Sequence, residues 1–357
     1  MKRELIPILI PEVPKFDEIS GYFKQIDDAR IYSNYGPLNS MLIHKLADYL
    51  EIDSAQITTV SNATLGLEGA IRTAKNIGSY WELPAWTFTA TPAAAINAGA
   101  VLSFRDIDSE WRVKPSVEVK NLIDVLPFGL NVDISRLPDD LQFIVIDAAA
   151  SFDSLKSVGS ILRNDSNIAI VMSLHATKCL PAGEGGIVFS NRIDWIKNIK
   201  DWTNFGMDGD RISNFVGTNG KLSEYAAAVA LSSLESWERI KHKNLINSKR
   251  ALTISAGHDL KVTKAMETGF ATPYWIIDCG LLEIKKKIEF EFEKANISTR
   301  SWWQNGCHKM PAYANYFTND LTHTDLVAAT SIGLPFHNYL TEENWTRIAS
   351  TLAKVLT

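Results

Sequence analysis

Short apolar runs rich in β-branched residues alternate with helix-length segments through the middle of the chain. Six such runs lie between residues 57 and 189, at 57–60, 101–104, 122–126, 143–146, 168–172 and 186–189. Strands that are apolar on both faces are typical of parallel sheets covered by helices on both sides. The sequence therefore predicts an α/β fold with a mostly parallel sheet between helices.

The sequence pattern changes after an alanine-rich segment, 223–240, which predicts one long helix. Charged helical stretches such as 283–294 then alternate with aromatic segments, and 340–356 predicts a closing amphipathic helix. We therefore expect an N-terminal arm over residues 1–15, a large α/β domain over 16–240 and a smaller C-terminal α+β domain over 241–357.

Composition and charge are those of an ordinary globular protein. Of the 357 residues 46% are apolar, and 36 basic against 41 acidic side chains give a formal charge of −5. A chain without a basic surplus is not expected to bind nucleic acid or an anionic membrane, and no run approaches the ~18 apolar residues of a membrane span. Three widely spaced cysteines form neither a disulfide framework nor a CxxC metal motif. We therefore expect a cytoplasmic protein without a metal site.

Small polar residues follow the first predicted strand, at positions 61–64, and precede a helix. The free N–H groups and the dipole at a helix start attract anions, and the Thr64 hydroxyl adds a donor. Ser61 or Asn62 can equally serve as a plain N-cap. This segment is therefore a candidate anion site, with helix capping as the alternative.

Asp147 directly follows the apolar run 143–146 and precedes three alanines. An ionised carboxylate at a buried strand end is costly unless it meets a cation or several hydrogen-bond donors. Taken alone, it fits a helix cap or a metal ligand as well. The three small side chains at 148–150 leave space beside the carboxylate for a flat, bulky group.

Lys178 lies in a loop between two predicted strands, before the glycine-rich segment 183–186. Lysine at such a place is usually solvated, but a lysine of lowered pKa is a nucleophile that forms Schiff bases with carbonyls. His175 in the same loop is expected to be a packed, hydrogen-bonded histidine. An anion site, a carboxylate and a nucleophilic lysine together match the needs of pyridoxal 5'-phosphate (PLP).

Six segments carry further motifs: NYGP (34–37), SNATLGLEGA (61–70), PAWTFTATPAA (84–94), VIDAAAS (145–151), SLHATKCLPAGEGG (173–186) and GTNGKLSEYAAAVALSSLE (217–235). These segments resemble motifs of the DegT/DnrJ/EryC1 family of sugar aminotransferases, which are fold-type-I, PLP-dependent enzymes. The resemblance extends over nearly the whole chain.

The resemblance implies a role for each matching position. Lys178 would be the Schiff-base lysine, Asp147 the partner of the pyridine nitrogen, and Phe88 the aromatic that stacks on the cofactor. Contacts with the cofactor phosphate are implied for Ala63, Thr64, the Leu65 backbone, Ser173 and, from the neighbouring subunit, Asn219. The implied assembly is a homodimer with its active sites at the interface.

The implied reaction transfers an amino group, from glutamate by family analogy, to a keto-sugar linked to a nucleotide. Such small-molecule substrates belong to surface-polysaccharide or secondary-metabolite sugar biosynthesis. Ala150 stands where the family has Gln or His, and Gly220 and Lys221 replace an aromatic residue and an arginine. These departures leave a second hypothesis open, a PLP-binding sensor or assembly protein without turnover.

Two other enzyme classes are disfavoured by missing motifs. A nicotinamide-dependent dehydrogenase needs a GxGxxG turn after an early strand, and the sequence has none. A metal-dependent enzyme is disfavoured because the seven histidines form no HxxxH or HExxH pair. Arg300 is a candidate anion contact. The residues Trp302, Trp303 and His308 are candidates either for acceptor contacts or for packing between domains.

Overall fold

The computed structural model describes residues 4–74, 78, 80–164, 167–318 and 320–356. The helices of this part are α1 (Phe16–Ala29), α2 (Pro37–Leu50), α3 (Ala63–Arg72), α4 (Ala90–Asn97), α5 (Val158–Asn164), α6 (Ile193–Thr203), α7 (Glu224–Glu235), α8 (Trp237–Ala256), α9 (Lys264–Glu267), α10 (Leu282–Lys294), α11 (Thr322–Thr330) and α12 (Glu342–Leu356). Over these residues, no helix has both the length and the apolar composition needed to cross a bilayer.

The strands of the described residues form two sheets. They are β1 (Ile57–Val60), β2 (Tyr80–Pro84), β3 (Val101–Arg105), β4 (Asn121–Val125), β5 (Phe143–Asp147), β6 (Ile168–Ser173), β7 (Gly186–Phe189), β8 (Lys261–Val262), β9 (Trp275–Asp278), β10 (Phe317–Thr318) and β11 (Ser331–Leu334). The large sheet has the order β1–β7–β6–β5–β4–β2–β3–β10, and the small one the order β11–β9–β8.

The large sheet is mostly parallel, which confirms the predicted fold class. Parallel pairing runs from β6 through β5, β4, β2 and β3 to β10. Strand β7 alone among the described strands of this sheet runs against its neighbours, β6 and β1. Strands β1 and β6 therefore point the same way, and their carboxyl ends lie at the same edge of the sheet as that of β5.

Helices cover both faces of the large sheet, as the apolar runs predict. On strand β5, Ile144 and Ile146 belong to the apolar layer that includes α2 and α7, whereas Val145 belongs to the layer that includes α3 and α6. Burial of each such side chain stabilises the fold by about 1.5–3 kcal/mol. Because both faces are buried, the sheet is rigid support for the loops at its edges.

The C-terminal part of the chain packs around the antiparallel sheet β11–β9–β8, with α8, α10 and α12 against it. The N-terminal arm lies on this part, since Ile6 bridges to Ile297 and the Phe336 N–H donates to the Ile8 carbonyl. Strand β10 returns to the edge of the large sheet. The domain limits stay predictions. The predicted limit at residue 240 lies inside α8.

The prediction of one long helix over 223–240 was wrong. Helix α7 ends at Glu235 and α8 begins at Trp237, with Ser236 as the shared cap residue. The Trp237 indole is buried, packs at 4.9 Å centroid distance on Phe152 and donates to the Tyr49 hydroxyl. These contacts anchor the first residue of α8 against Tyr49 and Phe152.

Candidate functional site

A cavity of about 760 Å³ lies at the edge where β1, β5 and β6 end. The loops that follow these three strands supply much of its polar lining. Of the eight residues implied to bind the cofactor, seven line this cavity: Ala63, Thr64, Leu65, Phe88, Asp147, Ser173 and Lys178. Ligands of open α/β sheets bind at such an edge, and the sheet therefore brings these seven residues together as the motifs imply.

The start of α3 forms one wall of the cavity. Asn62 is its N-cap, and the Asn62 Oδ1 accepts the Leu65 N–H at 2.9 Å. Asn62 therefore acts as the helix cap, which was the alternative interpretation of this segment. The Ala63 and Thr64 N–H groups lie in the first turn, where N–H groups have no acceptor within the helix. Gly186 on β7 permits this close approach, because a Cβ there would lie 2.7 Å from the Ala63 nitrogen.

Asp147 lies at the floor of the cavity and is only 7% exposed. Its carboxylate accepts the Thr91 hydroxyl at 2.7 Å and the Ala149 N–H at 3.2 Å. Burial raises the pKa of Asp147, and the hydrogen bonds from Thr91 and Ala149, with the Lys178 charge, oppose this only in part. A cationic ring nitrogen beside this carboxylate would stabilise its ionised form.

Lys178 reaches the same cavity from the loop after β6. The loop is held by backbone hydrogen bonds from the Lys178 N–H to the His175 carbonyl and from the Ala176 N–H to the Gly183 carbonyl, both 2.9 Å. The Lys178 Nζ donates to the Tyr274 hydroxyl at 2.9 Å. Desolvation lowers the pKa of the Lys178 amine, but its contacts with Tyr274 and the charge of Asp147 raise it, so that the net shift is upward.

His175 lies at the rim of the cavity and is hydrogen-bonded as expected, although it is not packed inside the core. Its Nδ1 lies 2.9 Å from the Thr177 hydroxyl, and its Nε2 lies 3.7 Å from the Glu184 carboxylate. Ser173, at the end of β6, accepts the His175 N–H through its hydroxyl oxygen at 3.2 Å. Ser173 is therefore placed beside the start of the lysine loop.

An aromatic wall, formed by Phe128, Tyr274, Trp302 and Trp303, lines part of the cavity. Trp303 stacks on Phe128 with ring centroids 4.6 Å apart, and Trp302 meets the Tyr274 ring edge-on at 4.6 Å. The Arg300 guanidinium lies 4.9 Å from the centroid of the Trp302 ring. All five residues line the cavity, so that the two tryptophans both pack and face the ligand space.

Three residues that the sequence analysis missed belong to this site: Thr91, Phe128 and Tyr274. Thr91 lies inside the 84–94 motif, which offered a signal for it. Phe128 and Tyr274 lie in apolar segments whose residues are typical of a core, and neither segment carries a polar pattern.

Two candidate residues lie outside the cavity lining. His308 Nε2 is 3.1 Å from the Asp325 carboxylate, away from the ligand space. Asn219 is exposed and accepts a hydrogen bond from the Lys221 ammonium at 2.8 Å. Its contact with a neighbouring subunit's cofactor stays a prediction.

The residues of the cavity fit PLP. The N–H groups at the start of α3 and the Ser173 hydroxyl can bind a phosphate, and the small side chains of Ala149 and Ala150 leave room for a ring next to Asp147. The amine of Lys178 lies in the same space, where an aldehyde can reach it. An anion site, a carboxylate and an amine in one cavity are thus combined as the cofactor requires.

The chain is similar to several bacterial proteins over most of its length. It is 26% identical to Protein Rv3402c of Mycobacterium tuberculosis strain H37Rv, over 97% of this chain and 89% of that protein. It is 24% identical to dTDP-4-amino-4,6-dideoxy-D-glucose transaminase of Shigella dysenteriae, over 98% of this chain and 99% of that enzyme.

The fold is also similar to that of a solved structure. A candidate PLP-dependent aminotransferase from Bacillus cereus ATCC 10987 matches with a TM-score of 0.86 and 28% identity, over 98% of this chain and all of that chain. The profile of the DegT/DnrJ/EryC1/StrS aminotransferase family matches residues 15–353. Because this match covers nearly the whole sequence, the chain belongs to the DegT/DnrJ/EryC1/StrS aminotransferase family of PLP-dependent enzymes.

Proposed function

We propose that the protein transfers an amino group, with glutamate as donor, to a keto-sugar carried by a nucleoside diphosphate. The observation that carries this proposal is the meeting of Lys178 and Asp147 in one cavity beside the start of α3. The Shigella relative is named for an amino sugar linked to dTDP, which supports a nucleotide-linked sugar as the acceptor.

The start of α3, Ser173, Asp147 and Lys178 each have a defined task in this reaction. Bound PLP supplies an aldehyde that carries the amino group and a ring that withdraws electrons from the reacting carbon. The start of α3 and Ser173 bind the phosphate, while Asp147 orients the ring and holds a proton on its nitrogen. The Lys178 amine moves the proton at the reacting carbon in both halves of the reaction.

The aromatic wall and Arg300 beside it supply contacts for the rest of the substrates. Arg300 is exposed at the cavity and can bind a carboxylate of the donor or the diphosphate of the acceptor. The faces of Trp302 and Trp303 offer flat apolar surface for a sugar ring. This combination of one cation and two indoles suits a ligand that is anionic at one end and amphipathic at the other.

The working unit in this proposal is a homodimer in the cytoplasm, with Asn219 of one subunit at the partner's phosphate site. Supporting the dimer, the segment before Asn219 exposes large apolar side chains: Phe205, Ile212, Phe215 and Val216. A second copy of the chain would cover such a surface. The three cysteines are free and buried, which supports a reducing compartment such as the cytoplasm.

The proposal is tested with the purified protein, PLP and glutamate, followed by a panel of dTDP-, UDP- and GDP-linked keto-sugars. We expect glutamate to convert the cofactor absorbance to that of the amine form, and one keto-sugar to restore it with release of an aminated product seen by mass spectrometry. The Lys178→Ala variant should show neither change. A wild-type protein that binds PLP but never responds to any donor would instead be the sensor or assembly protein.

A further inference from the structure

Tyr274 is held firmly at the point where the chain enters β9. Two residues earlier, the Thr272 backbone exchanges hydrogen bonds of 3.1 Å and 2.8 Å with the Asn244 side chain. The Ala271 N–H donates to the buried Asp153 carboxylate at 2.8 Å. After Tyr274, Trp275 pairs with Leu334 of β11, so that the backbone is tied to other elements on both sides of Tyr274.

The Tyr274 ring is also fixed by its neighbours. It packs edge-on against Phe128 at 5.8 Å and Trp302 at 4.6 Å between ring centroids, and it is 6% exposed. Its hydroxyl lies 2.9 Å from the Lys178 Nζ, and the centroid of its ring lies 5.3 Å from the same nitrogen. A rigid phenol thus meets the end of a flexible four-carbon side chain.

We propose that Tyr274 is a positioning residue for the Lys178 amine, which it holds over the cavity floor. The same contact favours the ammonium form of that amine. The inference rests on the proposed function, which makes Lys178 the amine that carries the cofactor. A phenol oxygen accepts a hydrogen bond from an ammonium, and its O–H donates to a neutral amine. The contact therefore orients Lys178 in both protonation states.

Titratable groups from several elements surround the Lys178 amine. Asp147 lies across the cavity floor, Tyr274 accepts the hydrogen bond, and Cys179 is the next residue in the chain. Other charged or titratable side chains that line the cavity are Glu68, His175, Glu184 and Arg300. Removal of the Tyr274 oxygen leaves all of these in place, so that its own effect on the amine can be measured.

The test follows the attachment of PLP to the apoprotein by absorbance at a series of pH values. Attachment is a condensation in which neutral Nζ bonds to the aldehyde carbon and the aldehyde oxygen leaves as water. Because Tyr274→Phe removes an acceptor from the ammonium, we expect its rate–pH curve to move about one to two pH units towards acid. At pH 8 the variant would therefore attach PLP faster than wild type, while its kcat falls about tenfold with little change in KM.

Two controls make the outcome decisive. Tyr313→Phe removes an equally buried hydroxyl, bonded to Thr89 outside the cavity, and should leave the rate–pH curve unchanged. If wild type attaches PLP and the rate–pH curve of Tyr274→Phe overlays the wild-type curve, the role of Tyr274 is refuted and the proposed function stands. If Lys178→Ala attaches PLP as wild type does, the proposed function fails, and the inference fails with it.

Discussion

At the scale of single residues, the site depends on how the Asp147 carboxylate is kept ionised. The Thr91 hydroxyl donates to it at 2.7 Å, and Thr91 is itself bonded to the Thr87 hydroxyl at 2.9 Å. A hydrogen bond to a charged group contributes about 1.5–3 kcal/mol. Thr91→Val keeps the shape of the side chain but removes this donor, so we expect the affinity for PLP to fall roughly tenfold to a hundredfold, measured by titration of the apoprotein.

A matched control for this variant exists elsewhere in the chain. The buried Thr324 hydroxyl donates to the Asp106 carboxylate at 2.7 Å, outside the cavity lining. Thr324→Val should therefore lower stability without changing the affinity for PLP. Equal affinity in wild type and Thr91→Val would show that Thr91 does not support the ionised form of Asp147.

The raised pKa of Asp147 predicts that this residue reduces the stability of the apoprotein. Between the ordinary pKa of 3.8 and the higher pKa of the folded state, folded molecules keep a proton that unfolded ones release. The free energy of unfolding therefore falls as pH rises through this window. We expect the Asp147→Asn apoprotein to melt above wild type at pH 8, by an amount that shrinks towards pH 4, although it binds PLP more weakly. A melting difference that is the same at both pH values would contradict this assignment.

The sequence predicts the residues of the site where function imposes a polar pattern on a strand end. Asp147 after an apolar run and Lys178 in a glycine-rich loop are both visible in this way, and the structure places both in the cavity. Tyr274 could not be found in this way. It directly precedes the apolar residues of β9, so that in the sequence it cannot be told from a core residue. Its partner lies 96 positions away in the chain, and only folding brings the two together.

At the scale of elements, the contact between β7 and the start of α3 shapes the anion site. A Cβ on Gly186 would lie 2.7 Å from the Ala63 nitrogen and 2.8 Å from the Asn62 carbonyl carbon. Because these are backbone atoms, Gly186→Ala must displace the helix start. We expect a loss of stability of about 1–3 kcal/mol and a marked loss of PLP affinity, measured by melting and by titration.

The control for Gly186→Ala is a glycine with open space around it. Gly21 lies in α1, where an added Cβ meets no atom within 4 Å. Gly21→Ala should raise stability by about 0.5–1 kcal/mol and leave PLP binding unchanged. If Gly186→Ala binds PLP normally, the helix start is not the phosphate site.

Elements were predicted well where their pattern is continuous and poorly where a local feature interrupts it. Strand β2 is absent from the predicted strands, because Glu82 in its middle breaks the apolar run. The Glu82 carboxylate accepts hydrogen bonds from the Ser116 N–H and hydroxyl. The opposite error arose at Ser236, where the helical pattern continues although α7 ends and α8 begins. The contact of Trp237 with Phe152 lies at this break, and it is a tertiary contact that a pattern cannot show.

At the scale of the whole molecule, local patterns predict the layers of the fold but not all of its connections. Parallel pairing follows from strands that are apolar on both faces. The pairing of β7 with β1 and the return of β10 to the edge beside β3 depend on contacts between distant segments. For the same reason, a site completed by a second subunit can be proposed from the chain but must be tested on the assembly.

Subunit mixing tests whether each site combines Lys178 of one subunit with Asn219 of its partner. In a dimer of one Lys178→Ala and one Asn219→Ala subunit, one site would carry both substitutions and the other would have neither. Random mixing makes half of the dimers mixed, so that about one quarter of wild-type activity should return, although each variant alone is nearly inactive. Mixing Lys178→Ala with Asp147→Asn is the control, because both residues lie in the same subunit's cavity and no intact site can form. If the Asn219→Ala mixture also stays inactive while exchange of subunits is verified by mass spectrometry, Asn219 acts within its own subunit or not at all.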